Sequence, residues 1–184
     1  MDESGDDRPV FTIGHSTRTI AEFVELLRAG KVETVVDVRT IPRSRTNPQY
    51  NLDALPGALA EYQVGHRYIA ALGGLKGRSH DVPAGLNGYW NNQSFHNYAD
   101  YALSDAFAAG LEELIAVADE RRTAIMCSEA VWWRCHRRLI AEHLIIRGRN
   151  VFHLMGTAKV ERATMTPGAE QRGGKLVYPA PGEE

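Results

Sequence analysis

The sequence predicts an α/β fold, a three-layer sandwich with a mostly parallel, Rossmann-like central sheet. Short apolar runs of strand length alternate with amphipathic segments of helix length along the 184-residue chain. This alternation is typical of βαβ units, in which parallel strands lie between two helical layers. The runs at 34–38 and 123–126 are largely apolar on both faces, as expected for strands buried in a parallel sheet.

The first part of the chain predicts two strands joined by a helix. The run 10–13 is β-branched and aromatic, which favours a strand. The segment 20–27 has apolar residues at helical spacing, with Thr17 or Thr19 as its candidate N-cap. The second strand follows at 34–38.

The middle of the chain predicts one helix and one strand between two loops. The loop 40–50 contains two prolines and is basic. A helix is predicted over 52–62, with Pro56 in its first turn, and a short strand over 66–69. The Gly-rich segment 72–93 is long for a compact domain, which indicates a lid or a binding loop.

The last part of the chain predicts helices at 95–101 and 104–118, the second with a stripe of apolar residues for the core. After the strand at 123–126 a helix is predicted over 136–147. The run 150–155 is predicted as a fifth strand, and 176–178 as an edge strand or a strap.

Length and composition indicate one domain over 10–178, with a disordered tail at 1–9, a polar segment at 158–174 and a flexible tail at 179–184. The hydrophobic content of 43% and the formal net charge of −2 are those of an ordinary globular protein, so the overall charge does not indicate a nucleic-acid partner. No apolar run reaches membrane-spanning length, so no membrane partner is expected. Two cysteines eight positions apart do not resemble a disulfide framework, which favours a reducing, cytoplasmic setting. The sequence indicates no oligomeric state.

Polar side chains follow three of the predicted strands at the point where each strand ends. The carboxyl ends of parallel strands meet at one edge of the sheet, which is where open α/β sheets bind ligands. We therefore predict an active site at this edge. Its candidate catalytic residues are Cys127, Glu129, His15, Arg39 and Asp37.

Structural roles remain open for several of these residues. Cysteine is among the most frequently buried residue types, so Cys127 can be a packing residue. Asp37 and Arg39 can equally form an ion pair that ties two loops together.

Basic residues around the predicted edge favour an anionic ligand. A thiol at the start of a helix is close to the positive end of the helix dipole, and arginines near it favour the thiolate. The expected ligand is a small anionic molecule, or the phosphate of a nucleotide or nucleic acid. The candidate substrate-binding residues are Ser16, Arg43, Arg45, Arg134, Cys135, His136 and Arg137.

Several motifs, in the same order, resemble the bacterial and archaeal domain of unknown function family 488. The resemblance covers about residues 11 to 156 and implies no assigned reaction. The motifs are Gly14-His15-Ser16-Thr17, Val36-Asp37-Val38-Arg39, Leu72-Gly73-Gly74, Met126-Cys127-Ser128-Glu129, Cys135-His136-Arg137 and His153.

A second resemblance is to rhodanese-like sulfurtransferases, which have a strand ending in Asp-Val-Arg and a later strand ending in the active cysteine. Here 36–39 and Cys127 stand in that order, followed by Arg134. Six residues separate Cys127 from Arg134, where rhodaneses have four, and Trp132 and Trp133 replace the small residues of an anion cradle. The resemblance implies thiol chemistry on an anionic substrate.

Two functions follow from these observations. In the first, Cys127 is the nucleophile of an enzyme and an arginine stabilises the anion, while His15 or His136 moves protons. In the second, the protein binds or hydrolyses nucleotides or nucleic acids, with Glu129 as acid or base.

The second function assigns the phosphate contacts to arginines and the base stacking to aromatic residues. The aromatic candidates are Tyr50, Trp90, Trp132 and Trp133.

A metal site formed by Cys127, Glu129, Cys135 and His136 is a third possibility. Adjacent Cys135 and His136 are awkward joint ligands and no CxxC pair is present, so we predict no metal and no cofactor.

Overall fold

A six-stranded sheet forms the centre of the protein, in a computed structural model that describes residues 8–156 and 159–181. The strand order is β3-β2-β4-β1-β5-β6; the first five of these strands are parallel and β6 is antiparallel to β5. The predicted fold class is confirmed. The strands are β1 (Val10–Gly14), β2 (Thr34–Asp37), β3 (Gly65–Tyr68), β4 (Thr123–Cys127), β5 (Val151–Met155) and β6 (Lys159–Arg162).

Five α-helices cover the two faces of the sheet, as a three-layer sandwich requires. The helices α1 and α2 pack on one face through Phe23, Leu27 and Leu55, and the helices α3, α4 and α5 pack on the other face. The helices are α1 (Ile20–Arg28), α2 (Leu55–Ala60), α3 (Gln93–Tyr101), α4 (Asp105–Glu120) and α5 (Arg137–Ile146).

Side-chain caps fix where three helices begin. Thr19, rather than Thr17, caps α1, and it forms a capping box with Glu22. Asn92 accepts hydrogen bonds from two backbone amides at the start of α3, so this helix begins two residues earlier than predicted. Ser104 caps α4 as expected.

The largest differences from the sequence prediction lie after β5. The sequence indicates only that the segment 158–174 is polar; the structure shows that it contributes β6 and the first strand of a hairpin, β7 (Glu170–Arg172). The run at 176–178 pairs with it as β8 (Lys175–Val177) in a separate two-stranded sheet. Both β6 and β7 are polar and largely exposed, so they lack the apolar pattern by which buried strands are found.

Between a 3₁₀ turn that ends at Leu72 and the start of α3 at Gln93, the only regular structure is a short 3₁₀ turn, Ala84–Asn87. Its buried Asn87 donates to Asp100 at 2.7 Å and accepts from the backbone amide of Tyr178 at 2.9 Å. These bonds attach the segment to α3 and to the end of the hairpin.

In the described part of the chain, no helix is both long enough and apolar enough to cross a membrane. Most of the predicted N-terminal tail, residues 1–7, and the last three residues of the predicted C-terminal tail lie outside the described residues.

Candidate functional site

Three segments that are distant in sequence meet at the carboxyl edge of the sheet, because β4 lies between β2 and β1. Backbone hydrogen bonds continue beyond the strands: His15 donates to the carbonyl of Cys127 at 2.8 Å, and Ser16 to the carbonyl of Ser128 at 3.0 Å. The backbone of Glu129 lies so close to Gly14 that a Cβ atom there would overlap its carbonyl oxygen. A glycine at the end of β1 therefore allows the loop after β4 to cross over it.

A cavity of about 340 Å³ opens at this edge, and seven of the twelve predicted site residues line it. The lining residues among them are Arg39, Arg43, Cys127, Glu129, Arg134, Cys135 and His136. The other five are not among the cavity-lining residues: His15, Ser16, Asp37, Arg45 and Arg137.

The thiol of Cys135 lies just before the first turn of α5, after a 3₁₀ turn over Trp132–Arg134. The backbone amide of Arg137 donates to its Sγ at 3.4 Å. Burial raises the pKa of Cys135, but a hydrogen bond from Cys127, the positive charge of Arg137 and this amide together outweigh it, so that the pKa lies below that of an ordinary thiol.

The imidazole of His136 presents an unprotonated nitrogen to this sulfur. Its Nε2 lies 2.7 Å from the carbonyl oxygen of Val38, which can only accept, so Nε2 carries the proton. Nδ1 therefore has a lone pair, and it lies 3.6 Å from the Sγ of Cys135. Burial lowers the pKa of His136, which keeps the ring neutral.

Gly74 makes room for this ring. A Cβ atom at Gly74 would overlap Nδ1 of His136. The Gly-rich segment therefore has a specific role beside the thiols, in addition to the cavity wall that Gly74 and Leu75 provide.

The second thiol, Cys127, keeps its proton. Burial raises its pKa well above the ordinary value, and so does the hydrogen bond that it shares with Cys135. Because it retains its proton, Cys127 is the partner that can donate to Cys135. The sequence prediction made Cys127 the nucleophile, whereas the helix start, the amide and the charge of Arg137 favour the thiolate at Cys135.

Asp37 and Arg39 form a buried ion pair. The Nε of Arg39 donates to one carboxylate oxygen at 2.9 Å and its Nη2 to the other at 2.6 Å. The same Nη2 also donates to the carbonyl of Tyr50 at 2.7 Å. Asp37 is fully buried. The structure therefore favours the structural role that the sequence left open, in which the ion pair connects two loops.

His15 is held in place by both of its ring nitrogens. Its Nδ1 donates to the carbonyl of Ser16 at 2.8 Å, which leaves Nε2 as the acceptor facing Nη1 of Arg39 at 3.4 Å. The ring stacks on Tyr50 with 4.1 Å between centroids. Burial lowers the pKa of His15 to about 4, so it is neutral near pH 7 and positions Arg39 rather than carrying a proton.

The guanidinium of Arg137 is buried, with 1% of the residue exposed. Its Nε and Nη1 have no hydrogen-bond partner among the residues that the structure describes. A buried cation is costly unless negative charge compensates it. The sulfur of Cys135 lies nearby, and the positive charge of Arg137 is one cause of its lowered pKa.

The mouth of the cavity combines exposed charge with exposed apolar surface. Arg43, Arg134 and Glu129 are exposed there. Ile41 and Leu75, which the sequence analysis missed, line the same cavity with 61% and 65% of their surfaces exposed. A single apolar residue in a loop gives no sequence signal that distinguishes it from an ordinary surface residue.

Most of the aromatic residues considered for base stacking are engaged inside the protein. Tyr50 and Trp90 are buried, and Trp132 stacks on His153 with 4.4 Å between centroids. Among these four candidates, Trp133 is the most exposed.

Fold and site together define a three-layer α/β protein with two neighbouring thiols and a histidine at the carboxyl edge of a parallel sheet. Residues 19–144, more than half of the chain, match the family model described as Domain of unknown function DUF488. The chain belongs to this family, and the predicted resemblance is confirmed. Neither the curated proteins nor the solved structures give a match, and the rhodanese-like resemblance is not shown.

Proposed function

We propose that this protein is an enzyme that acts on a small anionic substrate through the thiolate of Cys135. One observation carries the proposal: the Cys135 sulfur accepts the first amide of α5 at 3.4 Å and faces the free Nδ1 of His136 at 3.6 Å, in a cavity wall. A helix N-terminus, an arginine and a neutral histidine are the features that activate catalytic cysteines.

The neighbouring residues have distinct roles in this proposal. His136 accepts the thiol proton on Nδ1, and Cys127 donates a hydrogen bond to the resulting thiolate. The sulfur then attacks an electrophilic sulfur or carbon of the substrate. A new bond to Sγ forms, and the leaving group departs with the electron pair of the bond that breaks.

The cavity walls support an anionic substrate with an apolar part. Arg43 and Arg134 supply positive charge at the mouth, and Ile41, Leu75 and Phe95 supply apolar contacts. Glu129 at the same mouth disfavours a second negative group close to it.

Alkylation with two reagents of similar size tests this proposal on the metal-free protein. Iodoacetate carries a negative charge and iodoacetamide is neutral, so a cationic cavity accelerates the first relative to the second. We expect peptide mapping to place the first carboxymethyl group on Cys135, with an iodoacetate to iodoacetamide rate ratio above that of free cysteine. Modification of Cys127 first, or a ratio equal to that of free cysteine, would contradict the proposal.

The exposed arginines at the mouth and in the loop beside it also favour a second candidate, in which the anion is a nucleotide or nucleic-acid phosphate. Arg43, Arg45 and Arg134 are exposed, and so is Trp133. Glu129 would then be the acid or base. Fluorescence anisotropy with a labelled single-stranded oligonucleotide tests this candidate, because phosphate contacts weaken steeply with salt. Failure to bind at low salt would remove it.

A further inference from the structure

We propose that Cys127, Cys135 and His136 form a binding site for a soft divalent metal ion such as Zn²⁺. The two sulfurs and a ring nitrogen of His136 all lie within 4.8 Å of one another. Two thiolates and an imidazole are a donor set that zinc prefers in proteins. The inference goes beyond the proposed thiol reaction and does not depend on it.

The distance between the Cys135 sulfur and the His136 ring nitrogen agrees with tetrahedral coordination. Zinc–sulfur and zinc–nitrogen distances of about 2.3 and 2.0 Å, at a tetrahedral angle, place the two donor atoms about 3.5 Å apart. The Sγ of Cys135 and the Nδ1 of His136 are separated by 3.6 Å. Adjacent residues that looked awkward as joint ligands in the sequence therefore converge in the fold.

The second nitrogen of His136 supports the same conclusion. Histidine ligands of metal ions usually donate their other ring N–H to a carbonyl or a carboxylate, which fixes the ring and the tautomer. The Nε2 of His136 has this partner, the carbonyl of Val38 at 2.7 Å. The lone pair of Nδ1 is thereby directed at the sulfurs before any metal binds.

The three donor residues lie on the wall of an open cavity, from which a fourth ligand can approach. All three donor residues line the 340 Å³ cavity, so a water molecule or an anion can reach a metal held by them. With two thiolates the metal site is electrically neutral, and the nearby guanidinium of Arg137 favours a negative fourth ligand. An open site of this kind is typical of reactive rather than purely structural zinc.

Metal binding and the proposed thiol reaction exclude each other, because the same lone pairs serve both. A zinc-bound Cys135 has no free thiolate for an electrophile. We therefore expect one equivalent of Zn²⁺ to protect Cys135 from carboxymethylation, and EDTA to restore its reactivity.

The test uses the full-length, metal-free protein and the metal alone. Zn²⁺ affinity is measured by competition with a chromophoric chelator, and Co²⁺ is added to a second sample to record its absorption spectrum. We expect one Zn²⁺ per chain, and a Co²⁺ spectrum with thiolate charge-transfer bands and the intense visible bands of tetrahedral coordination.

Three variants locate the site. Cys127→Ser and Cys135→Ser each remove one sulfur with little change in volume, and we expect each to weaken Zn²⁺ binding by at least about 100-fold, more than loss of a supporting residue costs. His80→Gln is the matched control, because His80 is an exposed loop residue away from the cavity wall, and it should bind as the wild type does.

Several results would overturn the inference. They are the absence of Zn²⁺ binding, a Co²⁺ spectrum without thiolate bands, and binding that both serine variants retain. The Co²⁺ spectrum of the wild type needs no variant, so poor folding of a variant does not hide the answer. If Cys135 is not alkylated but the metal binds, only the proposed function is contradicted. If Cys135 is alkylated but the metal does not bind, only this inference is contradicted.

Discussion

The Nδ1 atom of His136 lies 3.6 Å from the sulfur of Cys135, and its lone pair faces that sulfur because Nε2 donates to Val38. The carbonyl that orients this ring is 98 residues away in the chain, and in the proposed function the two sequence neighbours act as base and nucleophile. The carbonyl follows β2, the sulfur precedes α5, and the sheet order brings the two together. The orientation of His136 toward the thiol is therefore a property of the fold as well as of the local sequence.

A hydrogen bond from Cys127 is one cause of the lowered pKa of Cys135, and its loss should be measurable. Cys127→Ala removes the donor, so the pKa of Cys135 rises and its alkylation at pH 7 slows about tenfold, since a hydrogen bond to a charged group contributes about 1.5 kcal/mol or more. Stopped-flow alkylation of the metal-free variants provides the rates. Cys127→Ser keeps a hydroxyl donor, so its alkylation rate at Cys135 should fall less than that of Cys127→Ala. Equal rates in the wild type and both variants would contradict the assignment of Cys127 as the donor.

Gly74→Ala tests the space that His136 needs. The added methyl group overlaps Nδ1, so the ring must move away from Cys135. We expect alkylation of Cys135 to slow several-fold and the free energy of unfolding to fall by about 1–3 kcal/mol. Gly77→Ala is the control in the same segment, because no described atom lies within 4 Å of its added Cβ, and it should change both quantities little.

The position of the candidate site, at the carboxyl edge of the sheet, could be predicted because its sequence signals are local. Apolar runs mark β2 and β4, polar residues mark where they end, and parallel strands align those ends. Which of the two thiols, Cys127 or Cys135, has the lower pKa could not be predicted in this way. It depends on the amide of Arg137, on the charge of its buried guanidinium, and on contacts with segments far away in the chain.

The strand β6 was missed for a different reason. It is an antiparallel edge strand whose side chains are mostly exposed, so its pairing with β5 leaves no apolar alternation in the sequence. The predicted catalytic residues Asp37 and Arg39 form a buried ion pair, a contact that the residue types alone do not predict.

Asp37→Asn should destabilise the fold strongly. The substitution leaves the guanidinium of Arg39 buried without its counter-charge, which costs about 3–5 kcal/mol. Urea unfolding followed by circular dichroism measures the change. Glu25→Gln breaks the exposed pair with Arg28 and should cost less than about 1 kcal/mol. Similar losses in the free energy of unfolding of the two variants would contradict a buried ion pair between Asp37 and Arg39.

Acid should destabilise the protein through its buried neutral histidines. Burial lowers the pKa of His143 to about 4, below the ordinary value of 6.5, so the unfolded chain binds its proton first as the pH falls. The stability present above pH 6.5 is thus lost progressively towards pH 4, at up to about 1.4 kcal/mol per pH unit for this residue.

His143→Leu separates this contribution from the rest. The ring packs against Phe107, and its Nε2 has no hydrogen-bond partner in the described part of the chain, so an apolar side chain fits the surroundings. Unfolding curves at pH 7.5 and pH 5 should show a smaller loss of stability on acidification in the variant. An identical loss in both proteins would exclude His143 as a source of the pH dependence.

The central claim, that Cys135 rather than Cys127 carries the thiolate, is tested most directly by a nuclear magnetic resonance titration. Cysteine labelled with ¹³C at Cβ gives one signal for each thiol in the metal-free protein, assigned with the two serine variants. We predict that the Cys135 signal titrates below the range of an ordinary thiol while Cys127 remains protonated. Titration of Cys127 first, or of both thiols together in the ordinary range, would contradict the account.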